Sequence, residues 1–190
     1  MTPHPTLVLV EGASDRVAVE MLARRRGLDL RAADISVVEL GGAMGIARAL
    51  ESRPHGAHLA GLVDAGEQRF FERALEQIGL GDNLDRAAME ALGFYVCVSD
   101  LEDELIRALG GDAVIDVIGQ EGNLRQWITF QHQPAQRPRP VEHQLHRFLG
   151  TTAGRKEKYA RALVEALPLD RVPRPLDLLV ATLAERAPAS

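Results

Sequence analysis

Glu11 and Asp64 each follow directly on a short apolar run, and Asp100 and Glu102 lie just beyond another. Carboxylates from distant segments that meet at one place repel each other, and burying them without partners raises their pKa values. A divalent cation resolves the conflict. Mg²⁺ takes one or two carboxylates plus waters and leaves positions for phosphate oxygens. Two such ions about 4 Å apart stabilise both the attacking and the leaving oxygen of a phosphodiester cleavage. A local explanation competes, because acidic residues at helix starts cap free N–H groups and favour the macrodipole. Asp15, Glu67 and Asp103 can be read that way; Glu11 and Asp64, standing at strand ends, are harder to dismiss.

The elements that must position these side chains are legible as apolar runs. Leu7-Val8-Leu9-Val10 predicts a strand buried on both faces. Residues 35–40, 60–63 and 93–98 predict three more. Val17, Met21 and Leu22 recur at helical spacing after the first strand, with Ser14 as the expected cap. Gly41-Gly42 is expected to turn the chain into a short helix carrying Ile46, Ala47 and Leu50, and another helix is expected over 70–78. Four strands alternating with helices predict an α/β fold with a mainly parallel four-stranded sheet covered on both faces. In such a sheet the carboxyl ends of the strands lie along one edge, where ligands bind. Past residue 110 only helical patterns follow, over 113–118, 124–130, 141–149, 156–167 and 176–184, with an exposed proline-containing loop at 131–140. The expected division is a core over 1–110 and a helical extension over 111–190 packed on it.

At 190 residues the chain fits one domain with an extension, and its few aromatic residues require a mostly aliphatic core. Net charge is −5, which argues against a general nucleic-acid binder, but the charge is unevenly spread. Residues 1–124 hold 11 Lys/Arg against 21 Asp/Glu, whereas residues 125–174 hold 10 against 4. An acidic part suited to cations and a basic part suited to phosphates follow from that split. No apolar run reaches the roughly 20 residues of a membrane span, and no signal peptide is evident at the start. The single Cys97 excludes an internal disulfide and reads as core. A cytoplasmic protein with no membrane association is the expectation.

Three segments resemble a known family. Leu9-Val10-Glu11-Gly12-Ala13-Ser14-Asp15 looks like the first Toprim motif, in the Glu-Gly-x-x-Asp form of the OLD (overcoming lysogenization defect) endonucleases. Asp100-Leu101-Glu102-Asp103-Glu104-Leu105 is similar to their acidic segment after the fourth strand, and Gly154-Arg155-Lys156-Glu157-Lys158-Tyr159-Ala160 to their late basic motif. The resemblance spans roughly residues 5–165. It implies a Toprim core and hydrolysis of DNA by one or two Mg²⁺ or Mn²⁺ ions. It assigns metal ligation to Glu11, Asp15, Asp64 and Glu102, with Asp100 as a further candidate. The catalytic set it implies is Glu11, Asp64, Glu102 and Lys156, with Lys158 the alternative cation; a lysine suits a fixed point charge beside developing negative charge.

Two departures stand out. The second carboxylate of the family's Asp-x-Asp is Gly66 here, in Asp64-Ala65-Gly66-Glu67, which puts one of two metal sites in doubt. No Gly-x-x-x-x-Gly-Lys-Ser/Thr phosphate loop is present, and Gly150-Thr151-Thr152-Ala153-Gly154-Arg155-Lys156 has the wrong spacing. The expectation is a stand-alone Toprim domain, with a separate ATPase partner and a homodimer both left open.

Weaker signals read as structural. Gly41-Gly42-Ala43-Met44-Gly45 reads as a tight turn rather than a phosphate cradle. His132, His143 and His146 read as surface or DNA-facing, since no cysteine pair or His-Glu-x-x-His accompanies them. Trp127 and Phe130 read as core, and Arg24-Arg25-Arg26 as a helix C-terminus. Arg137, Arg139, Arg147, Arg155 and Lys158 are the expected phosphate contacts. The functional expectation is thus a metal-dependent endonuclease or nickase using water, because Tyr95 and Tyr159 lie inside elements. The alternatives are a non-catalytic nucleic-acid- or protein-binding module and, more remotely, nucleotidyl transfer or primer synthesis.

Overall fold

The computed structural model describes residues 4–150 and 154–187. Four strands, β1 (Thr6–Val10), β2 (Ile35–Glu39), β3 (His58–Val63) and β4 (Phe94–Val96), form one parallel sheet in the order β2-β1-β3-β4. Ten α-helices are described: α1 (Ala13–Arg25), α2 (Ala43–Glu51), α3 (Gln68–Gln77), α4 (Arg86–Ala91), α5 (Leu101–Leu109), α6 (Gly111–Gln120), α7 (Leu124–Gln131), α8 (Val141–Gly150), α9 (Arg155–Ala166) and α10 (Arg174–Arg186). The expected α/β class and the four strands are borne out. Helix α4 and a short 3₁₀ turn at Leu169–Arg171 were not expected from the sequence.

Strand side chains alternate between two cores, as the pleat requires. Val8, Val10, Ala60, Leu62, Tyr95 and Cys97 join the core that also takes up α1 and the helices after β4. Leu9, Leu59, Val63, Phe94 and Val96 join a smaller core with Ile46 and Leu50 of α2, Phe71 and Leu75 of α3 and Met89 of α4. Gly61 sits where Phe94 crosses the sheet, and a Cβ there would come within 2.7 Å of the Phe94 ring. Of the three residues expected on α2, Ile46 and Leu50 are buried and Ala47 is exposed.

The first crossover runs from β1 to β2 through α1, on one face. The next two step back across the sheet through α2 and then α3 and α4, on the other face. A constant crossover hand demands that change of face. The reversal leaves a crevice outside the carboxyl ends of β1 and β3, the switch point where ligands bind in open α/β sheets. Glu11 and Asp64 are the residues that follow those two strands.

The helices after residue 110 share the larger core with the sheet. Tyr159, Ala160, Leu163 and Val164 bury one face of α9, and Leu176, Leu179, Val180 and Leu183 one face of α10. Each such aliphatic side chain stabilises by roughly 1.5–3 kcal/mol when fully buried. Polar ties fix the placement. Arg25 Nη1 donates to the carbonyls of Val164 and Leu167, at 2.6 Å each, joining the end of α1 to the end of α9. Tyr95 Oη lies 2.6 Å from Thr182 Oγ1, joining β4 to α10.

Candidate functional site

The main chain extends the sheet a little beyond each strand, and so sets where the acidic groups stand. Gly41 N–H donates to the Glu11 carbonyl at 3.0 Å, and Ala65 N–H to the Ser99 carbonyl at 2.8 Å. Gly41 and Gly42 both have positive φ, 64° and 102°, so the turn after β2 uses the conformation that glycine alone adopts cheaply. This bears out the tight-turn reading.

The N-cap position of α1 is Gly12, not Ser14. Ser14 is buried inside the first turn, and the Asp15 carboxylate accepts the Gly12 N–H at 3.0 Å. The cap expected of Ser14 is therefore made by Asp15 from within the helix. Asp15 is nonetheless more than a cap. Burial, then Glu102 and Glu11, push its pKa up to about 7 against the pull of the Gly12 N–H and Lys156. Asp64 is pushed up to about 8, by burial first and then by Asp15, Glu11 and Asp100, with Glu11 within hydrogen-bonding reach. Carboxyls so displaced are short of positive charge, and Glu11 acts on both of them.

The turn from β4 into α5 completes the cluster. Asp100 caps α5 through Oδ1, which accepts the Asp103 N–H at 2.8 Å, while its Oδ2 lies 2.7 Å from His146 Nε2 on α8. Burial works to raise Asp100, but His146, the Asp103 N–H and Lys156 outweigh it and hold the carboxyl low. The same Asp100 contact holds His146 above the ordinary imidazole range. Glu102 is buried, and its Oε1 lies 3.4 Å from Lys156 Nζ without a well-formed hydrogen bond. Burial works to lower the Lys156 ammonium, yet Glu102, Asp100 and Asp15 together keep it raised. Glu104 serves the scaffold: Oε1 accepts the Val98 N–H at 2.8 Å and Oε2 pairs with Arg107 at 2.9 Å.

Glu11, Asp15, Asp64, Asp100, Glu102 and Lys156 thus lie at one lip of the sheet. The reading of His146 as surface or DNA-facing is corrected, because donor atoms of Asp100, Glu102 and His146 all lie within 4.8 Å of one another. Oxygen donors with one imidazole, displaced carboxyl pKa values and an orphaned buried oxygen on Glu102 form a set that fits a divalent cation. Lys158 turns elsewhere, to Glu121 Oε2 at 2.9 Å. Glu67 stands at the start of α3 without capping it through its side chain.

The fold has counterparts among known proteins. Residues 5–52 match the model of the "Overcoming lysogenization defect protein-like, TOPRIM domain" family. The C-terminal region of the Burkholderia pseudomallei OLD protein superposes with a TM-score of 0.68 at 20% identity, over 95% of this chain and 97% of that one. The C-terminal region of the Xanthomonas campestris pv. campestris OLD protein, phased with iodine, gives 0.68 at 23% identity, over 97% and 96%. This is an OLD-like Toprim fold. A search of curated proteins finds no match. The OLD-like Toprim resemblance expected from the three motifs is borne out, and it extends over nearly the whole chain rather than to residue 165.

The remaining expected residues divide. Arg137 and Arg139 are exposed, and their Nε atoms brace the loop by donating to the His132 and Ala135 carbonyls. Arg147 is exposed on α8. Arg155 stacks over the Phe148 ring, 4.5 Å from its centroid, and donates to Gln126 Oε1 at 2.9 Å. Trp127 is buried and stacked on Phe130, as expected of core residues. Cys97 is buried in the sheet core, and burial followed by Asp64 pushes its thiol far from the nucleophilic range. Thr151-Thr152-Ala153 lie outside the described residues. Among the described residues no helix is long and apolar enough to cross a membrane.

Proposed function

We infer that this OLD-like Toprim protein hydrolyses phosphodiester bonds in DNA with a divalent metal ion, as an endonuclease or nickase. The observation that carries the reading is the meeting of five carboxylates from three separate chain segments beside one lysine from a fourth. Glu11, Asp15 and Asp64 would hold an ion at the switch point, and Asp100 and Glu102, with His146, would hold one on the α5 side. A bound Mg²⁺ or Mn²⁺ supplies Lewis acidity toward a phosphate oxygen and acidifies water. Lys156 offers a fixed cation to negative charge developing on the phosphate. The exposed Arg137, Arg139 and Arg147, with Arg155 and Lys158, lie on the basic segment that would meet the DNA backbone.

Water is the nucleophile in this reading. Both tyrosine hydroxyls are engaged away from the lip, Tyr95 with Thr182 and Tyr159 with Asn123. Supercoiled DNA incubated with Mn²⁺ is expected to be nicked or linearised by the wild type and left intact by Glu11→Ala. Equal cleavage by both proteins would sink the reading. A separate ATPase and self-association are partners this reading admits and does not require.

Gly66 favours a second reading, a binding module with one metal position lost. A Cβ at Gly66 would meet open space and its φ is unstrained, so Gly66→Asp can be built without a clash. On the hydrolase reading Gly66→Asp increases Mn²⁺-dependent cleavage or leaves it intact. A module inactive in both forms, yet binding DNA without metal, would support the second reading.

A further inference from the structure

Asp64 follows the carboxyl end of β3; at the amino end of the same strand lies a cavity of about 610 Å³. Its size is within the roughly 300–1,000 Å³ of ligand pockets. The turn before β3 supplies Arg53 and His55, the strand supplies His58 and Leu59, and the end of α10 supplies Arg186. The six residues of β3, at roughly 3.3 Å each, set this cavity about 20 Å from the acidic lip. It is a separate place.

The lining divides into an apolar part and a cationic one. Leu59 is buried, Ile78 and Leu92 are half-buried and Leu80 is exposed. Arg53, Arg186, His55 and His58 stand against the carboxylate of Glu51. Arg53 Nη1 donates to the Leu50 carbonyl, and Arg186 Nη1 to the Leu59 carbonyl at 3.1 Å. Each contact uses one nitrogen of a five-donor fork and steadies the rest. The other guanidinium nitrogens have no hydrogen-bonding partner and no ion pair among the described residues. His58 packs edge to face with His4, their centroids 6.1 Å apart. Elsewhere arginines find carboxylates: Arg16 meets Glu39, Arg107 meets Asp103 and Glu104, and Arg174 meets Glu90. Against a net charge of −5, two unpaired arginines bordering one apolar-lined cavity make a local field that draws an anion.

A guanidinium fork matches the oxygens of phosphate and carboxylate alike. Two forks carry more charge than one carboxylate neutralises, whereas a phosphate monoester brings about −1.5 to −2 at neutral pH. Inorganic phosphate would leave the aliphatic lining in water, and a hydrocarbon would leave the arginines unanswered. We propose that this cavity binds a phosphate monoester carried on a compact ring body, the chemistry of a nucleoside monophosphate. The site takes nothing from the acidic lip, so it stands or falls independently of the phosphodiesterase reading.

Calorimetric titration of the full chain with adenosine monophosphate tests the proposal, with EDTA present so that no metal at the lip takes up the phosphate. Wild type is expected to bind it about tenfold more tightly than adenosine, inorganic phosphate or octanoate. Arg53→Gln and Arg186→Gln are each expected to weaken it about tenfold, the order of one charge-assisted hydrogen bond. Leu80→Glu sets a negative charge on the cavity wall from an exposed position and is expected to weaken it as much. That variant keeps the test decisive should an arginine variant fail to fold. Adenosine monophosphate bound no more tightly than adenosine or phosphate, octanoate bound equally well, or unchanged affinity in the folded variants would each overturn the site. Amide shifts on its addition should gather at residues 53–59 and 186; shifts gathered at Glu11, Asp64 and Asp100 would overturn it too. Competition by a 5′-phosphorylated oligonucleotide would support the site with a strand end as the source of the monoester, and lack of competition would support it with a free nucleotide.

Discussion

Asp15 and Asp64 hold protons that free carboxylic acids would have released, with pKa values of about 7 and about 8 against an ordinary 3.8. Between those limits the native metal-free protein binds more protons than the unfolded chain, so stability falls as pH rises through the window. His146, raised by Asp100, acts in the same direction, because its contribution is full at low pH and fades as the imidazole deprotonates. Asp100, held low, has its effect only in more acidic solution. The thermal midpoint of the metal-free protein is therefore expected to fall between about pH 5 and about pH 8, and Mn²⁺ to restore it. Calorimetric titration in buffers of different ionisation enthalpy should show protons released on Mn²⁺ binding near neutral pH; binding without release would contradict the raised carboxyls. His146→Ala is expected to weaken Mn²⁺ binding roughly 10- to 100-fold, the usual cost of removing a group that orients or joins a metal ligand. An unchanged affinity would return His146 to the surface role the sequence suggested. That misreading has a physical source: an imidazole on a helix face looks the same in sequence whether it meets solvent or a carboxylate 46 positions away.

At the scale of elements, the strands were legible because each is a short apolar run ended by polar residues, which fixes both its length and the residue at its carboxyl end. Glu11 and Asp64 could be placed for that reason. Helix α4 could not, since six residues give too little periodicity to distinguish a helix from a loop. Nor could sequence choose between Lys156 and Lys158. Two residues apart on a helix, they point to nearly opposite sides, and only the packing of α9 on α1 sends the first to Glu102 and the second to Glu121. That packing offers a test. Arg25→Ala removes both carbonyl contacts at the end of α9 and is expected to cost about 1–3 kcal/mol, read from the urea midpoint. Glu104→Ala removes the buried carboxylate that holds the Val98 N–H and Arg107, and the urea midpoint is expected to fall. Because Glu104 holds the turn that presents Asp100 and Glu102, Mn²⁺ affinity is expected to fall with stability. A stable Glu104→Ala protein with intact metal binding would show that the turn holds itself.

Over the whole molecule, the proposed function would turn the charge asymmetry of the sequence into a division of labour between a cation-binding lip and the basic segment. If the basic segment meets phosphates, DNA affinity should fall steeply with salt, while Mn²⁺ affinity, set by half-buried groups, changes much less. The change from alternating strands and helices to helices alone near residue 110 does not separate the chemistry. His146 and Lys156 come from the later helices, while Glu11, Asp15, Asp64, Asp100 and Glu102 come from the earlier segments. Severing the chain there would leave one piece with anions and no counterion and the other with cations and nothing to oppose. On the proposed function the two stretches act as one unit, because the lip draws groups from both.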